Sequence, residues 1–287
     1  MTSATTILGL EERVAVVGGV GLRYFTCDQF IRGQGVPLVL VHGLGGSAAN
    51  WVEIVARASA SGRFRLLVPD LPGHGGSGAL PRGAGMNDFA DVVAALIEHE
   101  TREPALVAGH SLGGLVALRL AHRRPDLVRG LLLAAPAGIA TTTRAAQRIV
   151  TLAGLLRPAR WVAPFRYRYS ERPWYRRALF QQWFVADPLA LSPRATLGFL
   201  EGQLEHVDTR TAARAMLADD PRGDLEQIGC PSIVLWGARD PQLPLDDAFE
   251  YARRLRAHLR VVSDCGHLVI GERPDAVLDA LDALERA

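Results

Sequence analysis

Short, continuously apolar runs recur along the chain at residues 36–41, 64–68, 105–108, 128–134, 232–236 and 259–262. A strand buried on both faces reads this way, because neither side of it calls for polar residues. Between these runs lie stretches with helical spacing, at 50–60, 87–100, 112–123, 245–257 and 274–286. In 87–100, Val92, Val93, Leu96 and Ile97 share one face and Asn87 reads as the N-cap. Residues 14–26 alternate apolar and small residues around Gly18-Gly19-Val20-Gly21, which predicts two short strands joined by a turn. Strands alternating with helices predict the α/β class, with a mostly parallel sheet covered by helices on both faces.

The alternation breaks over residues 137–228, which read as helices with no convincing buried strand. The sequence therefore divides into a core, 1–136 and 229–287, and an inserted α-helical lid, 137–228. The strands after the insertion must rejoin the same sheet to bury their apolar faces. Nine of the chain's nineteen aromatic residues fall in 161–184, so the composition changes with the pattern. Two readings apply to that stretch. Its aromatics line an acyl pocket, with Trp183 and Phe184 as candidates, or they form a small core of their own. Contact with a membrane surface and stacking on nucleic acid are weaker readings.

Composition narrows the picture. The chain has 287 residues, 48% hydrophobic and 22% charged, enough for one large α/β domain with an insertion. A formal net charge of +2 gives no bulk attraction to nucleic acid or to anionic membrane. Every basic residue is Arg, which closes the Walker-A ATPase reading and catalysis through a Lys Schiff base. Cys27, Cys230 and Cys265 are odd in number and widely spaced, which argues against a disulfide framework or a zinc site and for free thiols in a reducing compartment. No His/Cys/Asp/Glu cluster has metal-ligand spacing, so neither metal nor cofactor is expected. Residues 1–10 lack a signal-peptide pattern, and no run reaches the roughly 18 apolar residues of a membrane span. Both point to the cytoplasm. The oligomeric state stays open.

The strongest chemical signal is Gly109-His110-Ser111-Leu112-Gly113, a G-x-S-x-G sequence between a predicted strand and a predicted helix. That turn lifts the Ser111 hydroxyl clear of the sheet and sets it at a helix N-terminus, where N–H groups favour developing negative charge. A serine hydroxyl needs a base, and the base needs an orienting group. Asp240 follows the strand 232–236 and His267 the strand 259–262, in the order serine, acid, histidine. Both fall beyond strand carboxyl ends, where ligands bind in open α/β sheets. The loop after 128–134 offers no carboxylate. Asp246 and Asp247 are rival acids, but they open a helix, where N-capping explains them. The oxyanion donors read as the N–H groups of Leu112, directly after the nucleophile, and of Leu44, in the loop after His42-Gly43. His42, His74 and His110 lie in or beside turns and read as loop-holding residues. His99, His122, His206 and His258 show no partnering pattern.

The motifs together resemble the α/β-hydrolase superfamily. Residues 39–46 (Val-Leu-Val-His-Gly-Leu-Gly-Gly) look like its oxyanion loop, and 70–77 like its D-x-P-G-x-G-x-S loop. Residues 109–114 look like its nucleophile elbow, Trp236-Gly237 with Asp240 and Pro244 like its acid loop, and Gly266-His267 like its histidine loop. The resemblance covers about 12–136 and 229–285. It implies a serine hydrolase of carboxylesterase type, acting on small or medium apolar carboxylic esters. Cleavage of a C–C, lactone or thioester bond is the alternative, as is a non-catalytic binding protein. Superfamily members with an elbow aspartate, dehalogenases and epoxide hydrolases, are disfavoured by Ser111. What Cys265 does beside His267 stays open.

Overall fold

The computed structural model describes residues 4–27, 35–142 and 161–287. Eight strands form one sheet: β1 (Glu11–Val17), β2 (Val20–Thr26), β3 (Val36–Val41), β4 (Phe64–Pro69), β5 (Ala105–His110), β6 (Val128–Ala134), β7 (Ser232–Gly237) and β8 (His258–Val262). Their order is β1-β2-β4-β3-β5-β6-β7-β8. β1 pairs antiparallel with β2, and β2 with β4, and every later pairing is parallel. The chain is thus α/β with a mostly parallel sheet.

The continuous apolar runs resolve into two faces once the pleat is applied, because successive side chains point to opposite sides. Val39, Val41, Leu67, Val107, Leu131, Leu133, Val234 and Trp236 pack on one face, against the helices Met86–Glu100, Leu112–Arg123 and Leu245–Leu255. Leu38, Leu40, Leu66, Val68, Leu106, Leu132, Ile233 and Leu235 pack on the other, against Val52–Ser61 and Pro274–Glu285. Even-numbered residues of β3, β4 and β5 face one layer and odd-numbered residues the other. That is why no polar alternation showed in the sequence.

Two helix starts differ from the sequence reading. The helix read as capped by Asn87 begins at Met86, with Gly85 in extended backbone before it. The Asp88 carboxylate accepts the Gly85 N–H at 2.7 Å, the reciprocal half of a capping box, and no side chain caps the first-turn N–H groups. The helix expected over 50–60 is a 3-10 turn, Ala48–Trp51, running into Val52–Ser61.

Between β6 and β7 the described elements are all helical: Arg166–Tyr169, Pro173–Phe184, Pro193–Leu200 and Thr209–Ala218, with short 3-10 turns. Residues 143–160 of the expected lid lie outside the described residues. Two of these helices carry side-chain N-caps: Ser192 Oγ accepts the Ala195 N–H and Asp208 accepts those of Arg210 and Thr211. Phe180, Val185, Leu191 and Ala195 form a small core that Leu268, from the His267 loop, completes. The aromatic stretch is therefore divided. Tyr175 and Phe180 are buried, and Trp183 and Phe184 are exposed.

Candidate active site

The elbow is a steric construction. Ser111 sits between β5 and the helix Leu112–Arg123 with φ 53° and ψ −117°, in a region that side-chain-bearing residues rarely enter. Such strain costs about 1–3 kcal/mol and persists only where neighbours over-determine it. Here the Ser111 N–H donates to the Ala134 carbonyl at 3.0 Å, and its own carbonyl accepts from Gly114 and Ala137, each at 3.0 Å. A Cβ on Gly109 would run into the Gly113 carbonyl, and one on Gly113 into the Val41 carbonyl. The two motif glycines are there because strand, helix and oxyanion loop touch backbone to backbone.

The oxyanion loop follows β3 and lies against the elbow. A Cβ placed on Gly43 would come 3.3 Å from the Ser111 Cβ. The Gly46 N–H donates to the Gly43 carbonyl at 3.0 Å, closing a turn around Leu44 and Gly45, with Gly45 at φ 68° as a type II turn requires. Among the described residues, neither the Leu44 nor the Leu112 N–H is spent on another protein group. Leu112 is the first residue of its helix, where no carbonyl lies a turn earlier to take its proton.

The Asp240 and His267 side chains meet although 27 residues separate them. His267 Nδ1 donates to Asp240 Oδ2 at 2.8 Å, and both side chains are almost fully buried. Asp240 Oδ1 accepts from the Gln242 N–H at 2.8 Å and the Leu243 N–H at 3.0 Å. Burial alone would raise the Asp240 carboxyl. The His267 charge and hydrogen bond, with the two N–H groups, outweigh it and hold the carboxyl below its ordinary range. The rival acids are elsewhere: Asp246 is exposed and Asp247 accepts the Ala140 N–H at 2.9 Å.

The turn histidines hold loops. The His42 Nε2 lone pair accepts the Leu71 N–H at 2.9 Å while Nδ1 donates to the Gly43 carbonyl, and burial lowers its pKa to about 4. His110 Nε2 donates to the His267 carbonyl at 2.9 Å, tying the elbow to the histidine loop. Burial, then the His267 charge, lowers the His110 pKa to about 3, so the ring stays neutral. Asp70, in the loop between the oxyanion segment and the Met86–Glu100 helix, is a structural centre. It accepts Arg23 Nε at 2.6 Å, the Ala48 N–H at 2.7 Å and the Gly76 N–H at 3.1 Å. Cys265 is fully buried, and burial followed by the Glu272 carboxylate pushes its thiol up, so it is a neutral packing group.

Sequence reading missed two kinds of residue. His206 showed no partnering pattern, yet it receives the Gly75 N–H on Nδ1 at 2.9 Å and donates from Nε2 to the Gly45 carbonyl at 3.0 Å. Gln203 Nε2 donates to the same carbonyl at 2.5 Å. Side chains from between β6 and β7 thus grip the turn after β3 that is expected to supply one oxyanion donor. Glu272 is the second. It is buried, and its carboxylate accepts the Gly266 N–H at 3.0 Å and the Ala186 N–H at 2.9 Å, while the Phe184 carbonyl accepts the His267 N–H at 2.9 Å. Burial raises the Glu272 carboxyl against those two donors. No local motif signals either role, since each partner is a backbone group and most lie on distant elements.

Glu272→Ala leaves the buried Gly266 N–H and the half-buried Ala186 N–H unpaired. The expected result is a loss of about 2–4 kcal/mol in urea unfolding, with Glu272→Gln intermediate because it keeps one acceptor oxygen.

Serine at a strand–helix elbow, a carboxylate–imidazole pair and free N–H groups beside them, on an eight-stranded mostly parallel sheet, describe an α/β-hydrolase. A profile of the alpha/beta hydrolase family matches residues 38–280, and the chain belongs to that family. Its class is that of a hydrolase. It is 32% identical over 279 residues to the dihydrolipoyllysine-residue acetyltransferase component of the acetoin cleaving system of Pseudomonas putida, covering 94% of this chain and 68% of that one. It is 30% identical over 271 residues to (E)-2-((N-methylformamido)methylene)succinate hydrolase of Acinetobacter baylyi, covering 90% and 93%. It is 33% identical over 223 residues to pimeloyl-[acyl-carrier protein] methyl ester esterase of Chromobacterium violaceum, covering 74% and 79%. Among the described residues no helix is long and apolar enough to cross a membrane, and no cluster of side chains could hold a metal ion.

Proposed function

We propose that this protein hydrolyses a carboxylic ester through an acyl-enzyme, with Ser111 as nucleophile, His267 as base and Asp240 as its orienting acid. The observations that support this reading are the strained Ser111 backbone and the bond from its neighbour His110 to the carbonyl of His267, whose Nδ1 is bonded to a buried carboxylate. Ser111 Oγ attacks the carbonyl carbon while His267 Nε2 takes its proton. The Leu44 and Leu112 N–H groups receive the oxyanion. The imidazolium, stabilised by Asp240, protonates the leaving alcohol, and His267 then activates water to release the acid. The methyl ester esterase among the relatives supports an ester as substrate.

In this reading residues 137–228 are a lid, and Trp183 and Phe184 border the acyl site. Support comes from the Phe184 carbonyl bonding the His267 N–H and from Gln242 Nε2 donating to the Trp183 carbonyl at 3.1 Å.

The test is hydrolysis of p-nitrophenyl esters of increasing acyl length, run beside lactone and thioester substrates and a fluorophosphonate probe. Turnover with a chain-length optimum sizes the pocket. Labelling without ester turnover moves the bond to lactone, thioester or C–C. No labelling sinks the nucleophile assignment and favours a binding protein.

The Gly45 carbonyl lies two peptides beyond the Leu44 N–H in the same turn, so its two side-chain donors position the oxyanion loop. Gln203→Ala with His206→Ala is expected to lower kcat about tenfold with little change in KM, less than the 10²–10³-fold loss of a donor itself. An equal rise in KM at unchanged kcat would instead assign these residues to substrate binding.

A further inference from the structure

Residues 161–184 hold five arginines, Arg166, Arg168, Arg172, Arg176 and Arg177, against one carboxylate, Glu171. Their excess of positive charge is twice the net charge of the whole chain, +2. The near balance of the total conceals a local basic face. Two of the five are used internally, since Arg166 Nε donates to Glu201 at 2.9 Å and Arg176 to the Leu191 carbonyl at 2.6 Å. Arg168, Arg172 and Arg177 are exposed, and among the described residues none of them has a carboxylate partner. Arg168 lies over the Tyr169 ring, 5.6 Å from its centroid.

Large apolar side chains stand among these cations. Trp161 is 78% exposed, Trp174 57% and Phe165 54%. They belong to one patch. Phe165 meets Tyr169, and Tyr169 meets Trp174 at 5.3 Å between ring centroids. The Tyr175 hydroxyl donates to the Val162 carbonyl at 2.8 Å, which fixes the Trp161 segment against the Pro173–Phe184 helix. Three such large side chains left in water within one patch, beside arginines that have no carboxylate partner among the described residues, mark a surface built to be covered.

We propose that this face docks on an anionic lipid surface. Indole and phenyl rings partition to the headgroup boundary while guanidinium groups meet lipid phosphates. A second copy of the chain fits poorly, because a self-complementary contact would bring Arg168, Arg172 and Arg177 against their own symmetry mates. Single-stranded nucleic acid could stack on the rings, but the location favours lipid. The patch lies about 14 Å along one helix from Trp183 and Phe184, at 1.5 Å per residue. That argument rests on the ester-hydrolase reading: a bilayer supplies apolar esters beside the site, and a nucleic acid does not.

The experiment is co-sedimentation of the full chain with phosphatidylcholine vesicles, with and without phosphatidylglycerol, at low and high salt. Wild type is expected to bind the anionic vesicles only, and less at high salt. Reversing Arg168, Arg172 and Arg177 to Glu is expected to weaken partitioning at least about a hundredfold, at roughly fivefold per lost arginine. Trp174→Ser should weaken it with the charges intact. Both variants should hydrolyse a soluble ester as wild type does, which shows that they are folded. Binding is read without turnover, so Ser111→Ala should bind vesicles normally, and a failed ester assay leaves the docking result standing. Equal binding to neutral vesicles, no vesicle binding, or undiminished binding by the Glu variant overturns the proposal. So does a patch that instead captures a single-stranded oligonucleotide or drives self-association.

Discussion

Ser111→Ala is expected to lower kcat for ester hydrolysis by about 10⁴-fold or more, equivalent to roughly 5 kcal/mol of transition-state stabilisation, and to abolish fluorophosphonate labelling. The size follows from what the substitution leaves. Alanine keeps the backbone at φ 53°, so the Leu44 and Leu112 N–H groups proposed as the oxyanion donors are left in place. Substrate therefore still binds, and KM should change little, but no atom remains to form the acyl-enzyme. Residual hydrolysis comes from water held against the same donors. Ser111→Ala relieves none of the strain, because alanine tolerates that backbone no better than serine, so the melting temperature should hold. A variant that retains within tenfold of wild-type kcat would remove Ser111 from the mechanism.

Asp240→Asn is expected to cost about 10⁴-fold in kcat with the fold intact. The side-chain oxygen of asparagine can keep the Gln242 and Leu243 N–H bonds, made now at 2.8 and 3.0 Å by Oδ1. The amide nitrogen then falls where Oδ2 accepts the His267 Nδ1–H. An N–H group there must be received by a lone pair on Nδ1, which moves the ring proton to Nε2, the nitrogen that must be free to take the Ser111 proton. The substitution also removes the negative charge that stabilises the imidazolium. Because the folded Asp240 carboxyl lies below its unfolded value, its contribution to stability is present above about pH 4 and is lost as pH falls through the folded value. Urea unfolding of wild type and Asp240→Asn should therefore converge in acid. A stability difference that grows as pH falls would contradict the depressed carboxyl. A modest loss of kcat, with a rise in KM, would point to Asp240 as a substrate contact.

The legible and illegible parts of the site differ in the range over which they are specified. The elbow was readable because its pattern is local: Gly109, Ser111 and Gly113 sit on a strand–turn–helix, and Gly109 is kept bare by Gly113 four residues on, although what keeps Gly113 bare is Val41 of β3. The Asp240–His267 pair was readable at one remove, since each residue follows its own strand and parallel β7 and β8 deliver both loops to the same sheet end. His206, Gln203 and Glu272 were not readable. Their partners, Gly45, Gly75, Gly266 and Ala186, are backbone groups that carry no residue signature of their own. Reading Asn87 as a cap failed for a related reason, because an Asp at the third helical position can satisfy the backbone N–H that precedes the helix.

Sequence alone determined the α/β class, the strand runs and the elbow, because hydrophobic period, turn sterics and glycine requirements act between near neighbours along the chain. Only the tertiary structure decided which carbonyls the insertion grips, which buried carboxylate ties the histidine loop to it, and which aromatics are left in water. Those outcomes depend on how distant elements pack, and a backbone N–H or C=O looks the same in every residue until packing gives it a partner.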